Sequence, residues 1–190
     1  MVIKMGTFKF GKTPIDGLYV VQPHSFCDNR GYFCEMYNKA DFFDAGLTME
    51  FVQDNESKSC AGTLRGMHFQ IKKPQGKLVR VVSGSVYDVA VDIRPESKTF
   101  GRWHGVLLSA ENKTMFYIPE GFAHGFIALE DNTVFSYKCS NFYDKSDEGS
   151  IFYGDPDLNI NWTDYYSGAL TISEKDLKNP LFKESLGEKI

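Results

Sequence analysis

Cysteine is scarce in this chain, and the little there is lies scattered. Cys27, Cys34, Cys60 and Cys139 are the four in 190 residues, and no two stand in a C-x-x-C spacing. That excludes a zinc ribbon and a disulfide scaffold, and predicts free thiols in a reducing compartment. No apolar run reaches the roughly 18 residues of a membrane span, and none opens the chain as a secretory signal does. The expected location is therefore cytoplasmic, with no membrane partner. Basic charge is not in excess: 21 Lys and Arg face 25 Asp and Glu, for a net charge of −4. A general nucleic-acid binder needs a basic surface, so that class is disfavoured. An anionic small ligand stays compatible where Arg and Lys gather locally. Internal repeats, low-complexity tracts and long linkers are also missing, so one domain over residues 1–190 is expected.

Aromatic residues, at 15%, are plentiful. That level suits β-strands and stacking surfaces better than a helical bundle. Short strands separated by turn residues are predicted at Leu18–Gln22, Gly31–Tyr37, Thr63–Gln70, Lys77–Ser83, Ser85–Ile93, His104–Ser109, Met115–Ile118, Gly125–Leu129 and Thr133–Cys139. In the fifth of these, Tyr87, Val89, Val91 and Ile93 share one face, with Asp88 and Asp92 on the other. Ser83-Gly84 reads as a hairpin turn. Asn38 is placed to cap a short helix running to Ala45 and ended by Gly46. Ser173-Glu174-Lys175-Asp176 begins a second short helical turn, and Leu181–Ile190 reads as a surface tail. Many strands with little helix imply an all-β sandwich or barrel, and a small antiparallel barrel can hold one ligand among inward side chains.

Five runs carry chemistry. Leu64-Arg65-Gly66-Met67-His68-Phe69-Gln70 puts a cation and an imidazole in one strand. A lone strand histidine is more often a satisfied core residue, but His68 is not alone. Ile118-Pro119-Glu120-Gly121-Phe122-Ala123-His124 has the P-x-G-x-x-H spacing of the second cupin motif, and Gly62 with His68 match the opening of the first. Gln70 stands where the second metal-ligating histidine belongs, and Lys73-Pro74-Gln75 offers no glutamate. A divalent metal usually needs at least three good protein ligands. The expectation is a cupin barrel without a metal, its histidines free for acid, base or binding roles. Lys77 opens a strand of otherwise buried character, where a surface lysine is the commoner reading. Tyr137, within Ser136-Tyr137-Lys138, has packing as its ordinary reading. Gln53-Asp54-Asn55 has a plain turn as its ordinary reading.

Taken in order, these runs resemble the dTDP-4-dehydrorhamnose 3,5-epimerases. The resemblance begins at Asp28-Asn29-Arg30-Gly31-Tyr32-Phe33-Cys34-Glu35 and continues through Phe51-Val52-Gln53-Asp54-Asn55, Leu64–Gln70, Gln75–Arg80, Val89–Arg94, Leu108–Lys113, Ile118–Phe126 and Glu148-Gly149-Ser150, closing at Ile172-Ser173-Glu174-Lys175-Asp176. It implies a cupin-type jelly-roll barrel with a few short helices, a homodimer, and a reaction without metal or nicotinamide. It gives His68 the place of the general base, Asp176 that of its carboxylate partner and Tyr137 that of the general acid. Lys77 takes the place beside the ketone oxygen. Arg30, Glu35, Gln53, Asp54, Asn55, Arg65, His124, Glu148 and Lys175 match substrate-binding positions, and Tyr143 matches the aromatic that stacks on thymine. The implied substrate is a dTDP-linked 4-keto-6-deoxy sugar.

The residue types suit that chemistry. Imidazole, with an ordinary pKa of about 6.5, is too weak to deprotonate a carbon unaided, so charge must move into the adjacent carbonyl as an enolate. A cation at that oxygen helps most. Inversion needs a proton returned from the opposite face. One geometric conflict stands out. Arg65 and His68 are an odd number apart and face opposite sides of a regular strand, so either Gly66 marks a bulge or twist, or Arg65 reaches round a strand edge. The rival readings are a metal-dependent cupin, an epimerase acting at C3 or C5 only, and a non-catalytic sugar-nucleotide-binding barrel.

Overall fold

The computed structural model describes residues 1–186. Fourteen strands and two short helices follow one another as β1 (Val2–Met5), β2 (Phe8–Lys12), β3 (Tyr19–Pro23), β4 (Ser25–Asp28), β5 (Gly31–Cys34), α1 (Lys39–Asp44), β6 (Gln53–Ser59), β7 (Leu64–Gln70), β8 (Lys77–Ser83), β9 (Ser85–Asp92), β10 (Trp103–Ser109), β11 (Met115–Ile118), β12 (Phe122–Ala128), β13 (Thr133–Cys139), β14 (Glu148–Ser150) and α2 (Phe182–Leu186). A seven-stranded sheet in the order β1-β2-β3-β11-β8-β13-β6 faces a five-stranded sheet in the order β10-β9-β12-β7-β14, and β4-β5 stands apart as a hairpin. Strand pairing within the sheets is antiparallel. The architecture is the all-β jelly-roll barrel of the cupin type.

Period-two alternation builds three apolar layers. Between the sheets, Val79, Val81, Phe116, Ile118 and Phe135 meet Val86, Ala90, Leu108, Phe122 and Phe126. The outer face of the five-stranded sheet carries Tyr87, Val89, Val91 and Ile93, which the sequence assigns to one face, and the C-terminal third covers them with Ile151, Leu158, Ile160 and Trp162. The outer face of the other sheet is covered by α1 through Phe42, packed edge-on against Phe8 and Phe10. That helix starts as its sequence predicts: Asn38 Oδ1 accepts from the Ala40 and Asp41 N–H groups, and Gly46 follows it at φ 87°.

Several expectations are corrected. Ser83-Gly84 does not close a hairpin; β8 and β9 lie in different sheets, and the turn carries the chain across the barrel. Its glycine sits at φ 77°, and a Cβ there would lie 2.4 Å from Thr133 Oγ1. Gln53-Asp54-Asn55 is not a turn but the start of β6. The strand expected at Gly125–Leu129 begins earlier, at Phe122, and ends at Ala128. The expected surface tail docks instead: Phe182 is buried in the core, and its N–H donates to buried Asp155. Residues 187–190 of that tail lie outside the described residues.

The bulge is present in β7. Arg65 pairs with Phe126 and His68 with His124, so three steps on β7 match two on β12. The extra residue resets the phase of the strand. Leu64, Met67 and Phe69 all enter the outer core, while Arg65 and His68 both line the same cavity. Gly66 sits at φ 128°, where a Cβ would lie 2.5 Å from Gly125 Cα and 2.9 Å from the His124 oxygen, both immovable backbone. Gly66→Ala is therefore expected to cost about 1–3 kcal/mol in chemical denaturation, and to lower activity by shifting His68.

Candidate active site

Two adjoining cavities open between the sheets, of about 340 and 540 Å³. His68, Lys77 and Tyr137 line both. The three come from β7, β8 and β13, so the two sheets face each other across the reaction space. The smaller cavity adds Gln53, Asn55, Gln70, Gln75, Tyr143 and Glu148. The larger adds Arg65, His124, Lys175 and Asp176.

His68 Nε2 lies 2.7 Å from Asp176 Oδ1. The sequence separates them by 108 positions; a single-turn 3₁₀ helix, Asp176–Lys178, brings the carboxylate up behind the imidazole, with the Asp176 N–H held by Ser173 Oγ at 3.0 Å. Asp176 is buried, which favours its neutral form, yet the hydrogen bonds from His68 and from the Gly66 N–H outweigh that. Its carboxyl thus titrates below the usual carboxylate range and stays ionised at neutral pH. An ionised acceptor fixes Nε2 as the protonated nitrogen, leaving the Nδ1 lone pair as the basic site of His68.

A second imidazole–carboxylate pair lies beside the first. His124 Nε2 sits 3.0 and 2.9 Å from the two oxygens of Asp88, which is fully buried. Burial pushes His124 below the ordinary histidine range, helped by nearby Lys77 and His68 and opposed by Asp88. Asp88 went unnoticed in the sequence as a site residue. Strand alternation places it opposite Tyr87 and Val89, but only the barrel reveals that this face is an enclosed polar cavity and not solvent.

Lys77 is lowered from the ordinary lysine value, chiefly by burial, against the pull of Cys139, Asp88 and Glu148. Tyr137 is raised, again chiefly by burial, so its phenol holds its proton through neutral pH. Glu148 receives both the Tyr143 hydroxyl, at 3.1 Å, and Lys175 Nζ. Arg65, which lines the larger cavity, donates from Nε to Ser59 Oγ at 3.2 Å.

Three expected site residues stand elsewhere. Asp54 alternates away from Gln53 and Asn55 onto the outer face of β6, paired with Lys138 at 3.0 Å. Arg30 is exposed on the β4-β5 turn and pairs with Asp28 at 2.6 Å. Glu35 accepts from Thr7 Oγ1 and Asn38 Nδ2 beside the start of α1. Among the described residues, no three His, Cys, Asp or Glu side chains gather as a metal-holding group. No helix among them is long and apolar enough to cross a membrane.

The profile of the dTDP-4-dehydrorhamnose 3,5-epimerase family matches residues 12–184. The chain belongs to that family. A dTDP-4-dehydrorhamnose 3,5-epimerase of Methanothermobacter thermautotrophicus is 52% identical over 172 residues, covering 90% of this chain and 93% of the relative. The crystal structure of the Elizabethkingia anophelis epimerase superposes with a TM-score of 0.90 at 49% identity, covering 96% of this chain and 100% of that one. A Legionella pneumophila epimerase, solved in complex with dTDP-4-keto-L-rhamnose, gives 0.88 at 46% identity over 92% of each chain.

Proposed function

We propose that this enzyme converts dTDP-4-keto-6-deoxyglucose to dTDP-4-keto-L-rhamnose by inverting C5 and C3 in turn. The observation that carries the reading is the convergence of His68, Lys77 and Tyr137 on one reaction space, with Asp176 buried behind the imidazole.

His68 Nδ1 takes the proton beside the ketone. The electron pair of that C–H bond moves into the ring as a C=C bond, and the carbonyl π pair moves onto the C4 oxygen. Lys77 meets that charge with its ammonium. Burial has lowered its pKa, which also brings its acidity closer to that of an enol. Asp176 steadies the imidazolium that forms. Reprotonation of C5 from the opposite face is assigned to Tyr137, and that of C3 to a solvent water. His124, whose Nε2–H is committed to Asp88, meets the substrate through Nδ1. Arg65 and Lys175 neutralise the diphosphate and Tyr143 stacks on the base, so binding energy far from the reacting carbons holds the sugar in register. Gln53, Asn55 and Glu148 complete the polar wall. These roles require neither metal nor nicotinamide.

The working unit is read as a cytoplasmic homodimer. Phe26, Tyr32 and Phe33 are exposed on the β4-β5 hairpin, and β6 ends its sheet as an open edge. Arg30 and Glu35 lie on or next to this hairpin, outside the cavities of their own subunit. Supply to the partner's site would account for them.

The test is NMR of the reaction in D₂O. Deuterium is expected at both C3 and C5 of the product; label at one carbon would reduce the enzyme to a single-site epimerase, and none would leave a binding protein. Tyr137→Phe separates the two steps. C5 inversion is expected to suffer far more than C3 exchange, and an equal loss at both carbons would remove Tyr137 from its role.

A further inference from the structure

Gln70 occupies the strand position at which a metal cupin holds its second histidine, and its amide is fully committed. It is buried, at 6% exposure. Its Nε2 donates to the Lys73 oxygen at 2.6 Å and to the Phe142 oxygen at 3.3 Å, while its Oε1 accepts from the Asp144 N–H at 2.8 Å. Phe142 and Asp144 are the two residues that flank Tyr143. One side chain of β7 therefore grips the backbone on both sides of the exposed aromatic that borders the smaller cavity.

The rest of the neighbourhood reinforces the grip without replacing it. Tyr143 itself donates its N–H to Gln53 Oε1 at 2.9 Å and its hydroxyl to Glu148. The loop after β7 is tied to the same segment by Lys73 with Asp144 at 2.8 Å, and by Asp147, which accepts from the Lys72 and Lys73 N–H groups. Those ties lie at the surface, where ion pairs are screened. The Gln70 amide lies inside, where an unmade hydrogen bond leaves a buried polar group stranded.

We infer that Gln70 is a positioning residue for nucleotide recognition: it presets the Tyr143 ring for the base from the same strand face that carries His68. The position that serves a metal elsewhere in the superfamily here serves the non-reacting end of the substrate. Its contribution is one of prior order. A ring already held in place loses little conformational freedom on binding, whereas a loose loop must be ordered first. This inference rests on reading Tyr143 as the base-stacking residue.

The experiment compares Gln70→Met, Gln70→Glu, Tyr143→Ala and the double variant Gln70→Met/Tyr143→Ala, using dTDP itself as calorimetric ligand and the keto sugar nucleotide in turnover. Methionine keeps the volume and removes every hydrogen bond. Glutamate keeps the acceptor for Asp144 and places oxygen against two carbonyls. Gln70→Met is expected to weaken dTDP binding by about five- to tenfold, the scale of one side chain or loop that must be newly ordered. KM should rise in parallel while kcat changes by less than about threefold, because the reacting groups are untouched. The double variant should bind dTDP no worse than Tyr143→Ala alone, as expected for residues acting through one another. Should Gln70→Met fail to fold, Gln70→Glu carries the same expectations. Unchanged dTDP affinity in the Gln70 variants, or strictly additive losses in the double variant, would overturn the inference. If Tyr143→Ala itself binds dTDP like the wild type, it is the base-stacking reading that fails.

Discussion

Replacing His68 by alanine abolishes deuterium incorporation at both C3 and C5 and lowers kcat by roughly 10³-fold or more, near the upper part of the range for a positioned base. The expectation is severe because no neighbour is free to take over. His124 spends Nε2 on Asp88 and is pushed by burial toward its neutral form. Tyr137 keeps its proton, and Lys77 is needed at the oxygen. His68 lines the cavity and stands outside the three apolar clusters, so its truncation leaves those cores intact. Asp176→Asn is the gentler companion. It keeps the shape, but an amide can present its NH₂ to Nε2 and favour the wrong tautomer, so both exchanges should slow together. Exchange that survives at one carbon in His68→Ala would require a second base.

Lys77→Met is expected to slow both exchanges by about 10²–10³-fold, the cost of losing one donor of roughly 3 kcal/mol at a developing oxyanion. Unlike Tyr137→Phe, it should not discriminate between C3 and C5, because both proton removals deliver charge to the same C4 oxygen. The pH profile supplies a separate signature. Burial lowers Lys77 from the ordinary value of about 10.4, so the ammonium is lost earlier as pH rises. The alkaline fall in kcat should accordingly begin below the free-lysine range, and the residual activity of Lys77→Arg should lack it. The sign for stability is opposite to that for activity. A lysine whose folded pKa is depressed binds its proton less tightly in the native state, so below that pKa the buried ammonium costs stability. Lys77→Met should therefore melt no lower than the wild type at neutral pH while being nearly inactive. A marked fall in Tm would mean that the lysine is a structural tie.

What the sequence made legible follows its periodicity. Apolar alternation in Tyr87–Ile93 located β9 and its buried face, and of the ways to reconcile the odd spacing of Arg65 and His68 the fold uses a bulge at Gly66. The limits have physical causes. β6 is polar on both faces, one toward the cavity and one toward solvent, so nothing in Gln53–Ser59 alternates in hydrophobicity and its start reads as a turn. For the same reason Asp54 could not be separated from Gln53 and Asn55. Asp88 gave no signal because an inward polar face looks like an outward one until the barrel closes. The pairing of His68 with Asp176 was available only from the resemblance, since no local pattern spans 108 positions. The docking of Phe182 was hidden by the polar residues around it.

The central claim is that one imidazole and one ammonium meet the same keto sugar, and a crystal structure with dTDP-4-keto-6-deoxyglucose or a non-reacting dTDP-sugar bound would test it most directly. The expected result has His68 Nδ1 about 3–3.5 Å from the C5 or C3 carbon and Lys77 Nζ within about 2.6–3.2 Å of the substituent oxygen on C4. A sugar ring seated away from His68, or a C4 oxygen turned away from Lys77 toward some other donor, would contradict it.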